Sequence, residues 1–178
     1  MSSQRCRPPA TALVVMGVSG AGKSTVAALL ADRTGCVLAD GDDFHHPASI
    51  AQMAAGQPLD DAQRAPWLAA LASWLAQRAA CGECAVLSCS ALTRASRNVL
   101  RGAGPDVRMV HLAGPPELVA TRLAGRRGHF MPPELLDSQY AELEPLGADE
   151  PGITVDLTQS PQQIVDQVLR TLGPITAG

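Results

Sequence analysis

Gly17, Val18, Ser19, Gly20, Ala21, Gly22, Lys23 and Ser24 fit the pattern G-x-x-x-x-G-K-[ST] without a mismatch. An apolar run over 12–16 leads into them, and from Thr25 the chain turns to Val, Ala and Leu. Strand before and helix after are the context that separates a phosphate loop from a chance match. The glycines let successive backbone N–H groups turn inward, which makes an anion nest at a helix N-terminus. Lys23 then meets the β- and γ-phosphates of a nucleoside triphosphate, and Ser24 brings a hydroxyl to Mg²⁺. A plain glycine turn has no use for the Lys-Ser pair.

Carboxylates follow the second apolar run, in Asp40-Gly41-Asp42-Asp43-Phe44-His45-His46-Pro47. Beside a phosphate loop, one such carboxylate can hold a metal's hydration shell and another can take a proton from an attacking hydroxyl. The same composition also makes a polar turn before a helix. Arg64 leads into a long helical stretch, where a positive charge works slightly against the helix dipole. A fork for an anionic substrate is one use for it, and a surface arginine the other. Farther on, Arg126-Arg127-Gly128-His129-Phe130-Met131-Pro132-Pro133 mixes glycine, proline and charge between two helices. That composition suits a lid whose arginine neutralises transition-state charge, or an ordinary basic loop.

The elements that must position these groups alternate. Runs over 13–18, 36–39, 85–89, 107–112 and 153–157 read as short buried strands. Helical stretches fall over 23–33, 48–55, 66–80, 94–101, 115–125, 134–144 and 161–172. Short, continuously apolar strands between helices require a parallel sheet covered on both faces, so the expected fold is a three-layer α/β architecture with five parallel strands. Ligands gather beyond the carboxyl ends of such strands. That puts 40–46, 88–93 and the loops after Leu112 and Asp156 around the site. Trp67 and Trp74 lie seven apart, share a helix face and read as core.

At 178 residues the chain is expected to be one domain, with its core over about 12–172 and a lid over 126–133. Apolar residues make up 46% and charged residues 17%, an ordinary globular balance. A net charge of −3 and a pI near 5.7 argue against a nucleic-acid binder. No apolar stretch reaches the length of a membrane span. Arg5 and Arg7 before an apolar run imitate a signal peptide, but that run enters the phosphate loop, and cleavage there would destroy it. A cytoplasmic setting is expected. The five cysteines are odd in number and form no paired framework, and Cys81-Gly82-Glu83-Cys84 is a lone C-x-x-C; all five read as reduced thiols. Asp32-Arg33-Thr34-Gly35 imitates the D-x-x-G of a nucleotide switch, but it ends the first helix and N-K-x-D is absent.

Five blocks, in order, resemble the gluconokinase family, the thermoresistant bacterial type and its eukaryotic relatives within the shikimate-kinase-like branch of P-loop kinases. They are Met16 through Ser24; Asp40-Gly41-Asp42 with His45; Gly56-Gln57-Pro58-Leu59 with Asp61, Arg64, Pro66, Trp67 and Leu68; Cys89-Ser90-Ala91-Leu92 with Arg97; and Gly128-His129-Phe130-Met131 continuing to Leu143-Glu144-Pro145 and Asp149-Glu150. The likeness spans about 12–170. It implies transfer of the ATP γ-phosphoryl group to the 6-hydroxyl of D-gluconate. Other small-molecule kinases of this architecture, of shikimate or adenylylsulfate type, and a non-catalytic nucleotide-binding module are the rival readings. Carried over by position, the likeness puts Asp40 near Mg²⁺ with Ser24, and Asp42 near the sugar hydroxyl as base. It puts Arg64 on the gluconate carboxylate, with Ser90, Arg97 and His45 lining the acceptor site. Arg122 would lie near the adenine, Arg126 or Arg127 in the lid, and His129 at its edge. Relatives of the family are often dimers. The chain departs from its relatives at Thr93, His46, Gln52 and Asn98, which bears on acceptor binding.

Overall fold

The apolar runs form five parallel strands, and their order sets the glycine loop at the centre of one edge of the sheet. The computed structural model of the chain describes residues 10–104, 106–125 and 133–175. Strands β1 (Ala12–Met16), β2 (Val37–Asp40), β3 (Ala85–Ser88), β4 (Val107–Ala113) and β5 (Gly152–Asp156) stand in the order β2-β3-β1-β4-β5. The chain leaves β1 for the edge, returns through β3, then crosses β1 to β4. Progress across the sheet therefore reverses at β1, a switch point of the kind that opens a ligand crevice. The register aligns Val15 and Asp40 with Ser88, and Met16 with His111. The loops that follow these strands consequently meet at one level.

Residues of β1 alternate between two cores. Leu13 and Val15 face the layer made by α1 (Lys23–Thr34) and α7 (Pro161–Leu172), joined by Val119 of α5 (Pro116–Ala124) and Leu136 of α6 (Pro133–Glu142). Val14 and Met16 face Trp67, Leu68, Leu71 and Leu75 of α3 (Asp61–Ala80) and Leu100 of α4 (Arg94–Arg101). Burial on both faces is what makes β1 apolar throughout. The edge strand β2 differs from the buried strand expected of its sequence: Val37 and Leu38 are 36% and 45% exposed. A four-residue apolar run does not reveal whether it lies at an edge or inside.

Two boundaries matter for the site. Helix α3 begins five residues before Pro66, because Asp60 accepts a hydrogen bond from the Gln63 N–H (2.8 Å) while Gln63 accepts one from the Asp60 N–H (3.0 Å). This capping box starts the helix, and Pro66 is carried inside it. Arg64 thereby sits on a rigid helix rather than a loop. Between β2 and α2 (Pro47–Ala54), Gly41–Phe44 forms a 3₁₀ turn capped by Asp40, whose Oδ1 accepts from the Asp42 N–H (3.1 Å).

The cysteines correct the sequence reading. Cys36 and Cys84 stand side by side before β2 and β3, with Cα atoms 4.8 Å apart, and form a disulfide. Cys81 is an exposed free thiol and Cys89 a buried one, while Cys6 lies outside the described residues. Burial pushes the Cys89 thiol up to about 12, so it is an inert wall behind the site. Among the described residues no helix is long and apolar enough to cross a membrane.

Candidate active site

A cavity of about 520 Å³ opens over the carboxyl ends of the central strands. Its floor at one end is the phosphate loop. Gly20 and Gly22 take left-handed φ values of +83° and +98°, which bends the loop back onto the start of α1. Ser19, Gly20, Gly22, Lys23 and Ser24 face the cavity. Val18 and Ala21 are buried beneath it, and Gly17 donates its N–H to the Ser90 carbonyl (3.2 Å), tying the loop to the end of β3. Thr25 is exposed on the first turn of α1. Lys23 reaches back over the loop to the Val18 carbonyl (3.1 Å).

Beside this loop, Ser24 Oγ donates to Asp40 Oδ2 (2.7 Å) and lies 3.5 Å from Ser88 Oγ. Hard oxygens from one carboxylate and two hydroxyls suit Mg²⁺, which keeps several waters and takes the rest of its shell from phosphates. No cluster of three His, Cys, Asp or Glu groups exists among the described residues, so a cage supplied wholly by such side chains does not compete with that arrangement. Gly41 explains how Asp42 reaches the cavity. A Cβ there would sit 2.6 Å from the Ser88 carbonyl, so only glycine lets the turn press against β3.

Trp67, expected as plain core, is buried but also holds one wall of the cavity. Its Nε1 donates to the Gly41 carbonyl (2.7 Å), and its ring stacks on His45 at 4.4 Å and 9°. His45 lines the cavity, with Nδ1 buried and unpartnered among the described residues. Burial lowers its pKa below the ordinary value against the opposing pull of Asp42, so the ring is held toward its neutral form. Across from it, Arg64 Nη2 donates to the Leu59 carbonyl (2.7 Å) and to Glu142 Oε1 (2.8 Å). Ser90 also lines the cavity.

Arg97 does not belong to this wall, and its expected acceptor role is corrected. Its side chain is wholly buried. Nε and Nη2 donate to the two Glu150 oxygens at 2.7 and 2.8 Å. Nη1 serves the carbonyls of Leu92 and Glu144 (both 3.1 Å), and Nη2 also reaches Pro145 (3.3 Å). A guanidinium has five donors, and all are engaged inside the protein. Arg122 gives Nη2 to the Leu157 carbonyl (2.7 Å) and Nη1 to that of Ala21 (3.5 Å), bracing the phosphate loop against the end of β5. Arg126, Arg127 and His129, with the expected lid up to 132, lie outside the described residues.

Three of the four positions read as departures, all but Asn98, serve caps and struts. His46 accepts from the Ala48 N–H (3.2 Å), Thr93 from that of Ser96 (3.2 Å), and Gln52 pairs with Gln63 and the Pro58 carbonyl. Among the cavity residues that the sequence did not mark, Gln139 and Glu142 make the bonds that matter to the site. Gln139 of α6 accepts from the Ser19 N–H (2.7 Å) and donates to its hydroxyl (3.2 Å), and Glu142 holds Arg64. Their i, i+3 spacing just after the expected lid is the only signal that could have marked them.

A family model described as AAA domain matches residues 13–146. The chain is 48% identical over 158 residues to the gluconokinase of Gluconobacter oxydans, with 89% of each chain covered. The chain belongs to the gluconokinase family. It is therefore a kinase, and the ATP-using phosphate loop is the family's own. A crystal structure of a gluconokinase from Sinorhizobium meliloti superposes with a TM-score of 0.84 at 41% identity, covering 93% of both chains. A sugar kinase from Janibacter sp. reaches 0.89 at 47%, covering 96% of this chain and 99% of that one. The five-stranded α/β fold expected from the sequence is the fold of the chain, and it superposes on both solved kinases.

Proposed function

We propose that the chain transfers the γ-phosphoryl group of ATP to the 6-hydroxyl of D-gluconate, giving 6-phosphogluconate and ADP. The observation that carries this reading is one cavity that holds the phosphate loop, the Asp42 carboxylate and the Arg64 guanidinium together. Phosphoryl transfer demands alignment and charge neutralisation more than covalent chemistry. Ser19, Gly20 and Gly22 offer backbone N–H groups to the phosphates, and Lys23 adds a cation. Ser24 and Asp40 would hold Mg²⁺, which supplies charge neutralisation on the transferring group when bound. Arg64 grips the acceptor's carboxylate at the far end, and His45 and Ser90 meet its hydroxyls. That anchorage presents the opposite end of the sugar acid, the primary alcohol, to Asp42, which takes its proton.

Gluconate-dependent release of ADP, measured beside shikimate, adenylylsulfate, glucose and sorbitol, tests the reading. Turnover with gluconate is expected. Turnover with another acid and none with gluconate would overturn it. Asp42→Asn should lower kcat by about 10²- to 10⁴-fold while leaving gluconate binding in place.

A further inference from the structure

We infer that Glu142 is a built-in competitor at the acceptor site that sets its affinity for acids: its carboxylate holds the place on Arg64 that an acidic acceptor must take. The inference rests on the reading of Arg64 as the acceptor's carboxylate grip. A guanidinium presents two parallel forks, Nε with Nη2 and Nη1 with Nη2, and Nη2 is common to both. In the structure Nη2 donates to the Leu59 carbonyl at 2.7 Å and to Glu142 Oε1 at 2.8 Å, one bond for each of its hydrogens. Both forks are thus half-filled, while Nε and Nη1 make no bond among the described residues. An incoming carboxylate can touch Arg64 at one point, but it gains a two-point grip only when one Nη2 partner leaves.

The two partners differ in their freedom to do so. Leu59 is buried and offers a main-chain carbonyl fixed by the start of α3. Glu142 is the last residue of α6, its side chain is 34% exposed, and its bond to Arg64 is its one ion pair among the described residues. It also lines the same cavity as Lys23 and Asp42, so it competes within the acceptor volume. Glu142 is therefore the group that yields.

Displacing it imposes the same penalty on every anion. A simple carboxylate has only its two oxygens with which to offset that penalty. A polyhydroxy acid adds hydrogen bonds to His45 and Ser90 along its chain and retains net affinity. A uniform penalty leaves the ratio of affinities unchanged but lowers occupancy, so at a given concentration the small acid, with fewer contacts, is left largely unbound. The anion grip is in this way closed to small acids without losing the arginine that a sugar acid requires.

Calorimetric titration of the full chain without nucleotide tests this, with acetate, D-gluconate and sorbitol as probes on wild type, Glu142→Gln and Glu142→Ala. Removing the charge should tighten acetate and gluconate by about five- to tenfold and leave sorbitol unchanged. Arg64→Ala in the Glu142→Gln background should abolish the gain. Acetate binding that is unchanged or weaker in both Glu142 variants would overturn the inference and mark Glu142 as a strut for Arg64. The acetate arm decides this alone. Failure of gluconate to bind wild type would instead remove the substrate reading.

Discussion

Arg64 and Arg97 make the same kind of bond to a glutamate in opposite circumstances. Arg64 keeps 20% of its side chain exposed on the cavity wall and meets Glu142 through one nitrogen. Arg97 and Glu150 have no exposed side-chain surface, and they meet through a two-bond fork. Glu150 is itself held by the Gly147 N–H at 2.9 Å, and the Arg97 hydrogen bonds chiefly keep its carboxyl below the usual carboxylate range. An arginine is a binding device only while one of its partners can leave. Arg97 has no such partner. It joins the carbonyls of Ala91 and Leu92, after β3, to those of Glu144 and Pro145, before β5. Ala91 needs that support, because its φ of +42° is a left-handed conformation that a non-glycine residue adopts at a cost. Arg97 thus fixes the loop that bears Ser90 and does not itself face the cavity.

The contrast is broken most directly by removing each arginine in turn. Arg97→Leu leaves Glu150 buried without a counter-charge and should cost about 3–5 kcal/mol in urea denaturation. Arg97→Leu with Glu150→Leu should regain most of that loss, because a buried pair replaced by apolar groups is often neutral. A stable Arg97→Leu protein with a raised gluconate KM would put Arg97 back at the substrate. Arg64→Ala should do the reverse. Its gluconate KM should rise by about 10- to 100-fold, as loss of a charged hydrogen-bonding partner implies. Its stability in urea denaturation should change by less than about 1 kcal/mol, since a partly exposed ion pair adds little to stability.

The fold was legible because it follows from local pattern. Short apolar strands between helices, a glycine loop after the first and a reversal around it lead to one architecture. The donor end was legible for the same reason, since Gly17 to Ser24 is contiguous and its chemistry is carried by backbone and two side chains. The acceptor end is assembled from α3, α6 and the ends of β2 and β3, and spacing along the chain says nothing about which arginine faces inward. Arg97 and Arg64 look alike in sequence; burial tells them apart. Helix α3 began early because a capping box outweighed the proline, and that shift moved Arg64 from loop to helix. Cys36 and Cys84 are far apart in the chain and adjacent only through the β2–β3 pairing, so cysteine spacing could not reveal them.

Arg97 also bears on acid stability through His111. This residue is buried on β4 between Met16 and Thr154, and neither ring nitrogen has a partner among the described residues. Burial, and then the charge of Arg97, lowers its pKa below the ordinary 6.5. The unfolded chain takes up a proton below that pH while the folded chain resists it. Stability should therefore fall as pH drops below 6.5, by at most about 1.4 kcal/mol per pH unit for one group, and level off below the folded pKa. The Glu150 and Asp156 carboxylates contribute stability above their ordinary 4.5 and 3.8, so their loss comes at lower pH. His111→Leu should flatten the slope of urea midpoints between pH 7.5 and 5.5. An unchanged slope would assign that acid sensitivity to His45 instead.

The smallest effect is expected at the donor end, where Gln139 does for Ser19 what Glu142 does for Arg64, without a charge. Its amide oxygen accepts from the Ser19 N–H at 2.7 Å, the kind of donor a phosphate oxygen would take in a nest. A neutral hydrogen bond contributes about 0.5–1.5 kcal/mol net. Gln139→Leu should thus lower the KM for ATP by only about two- to tenfold, with the gluconate KM unchanged. That outcome would extend the rule drawn from Arg64, that a ligand-binding group is held by a partner able to leave. A raised KM for ATP together with a reduced kcat would break it. Gln139 would then be a residue that keeps hold of the phosphate loop during turnover, closer in kind to Glu150 than to Glu142.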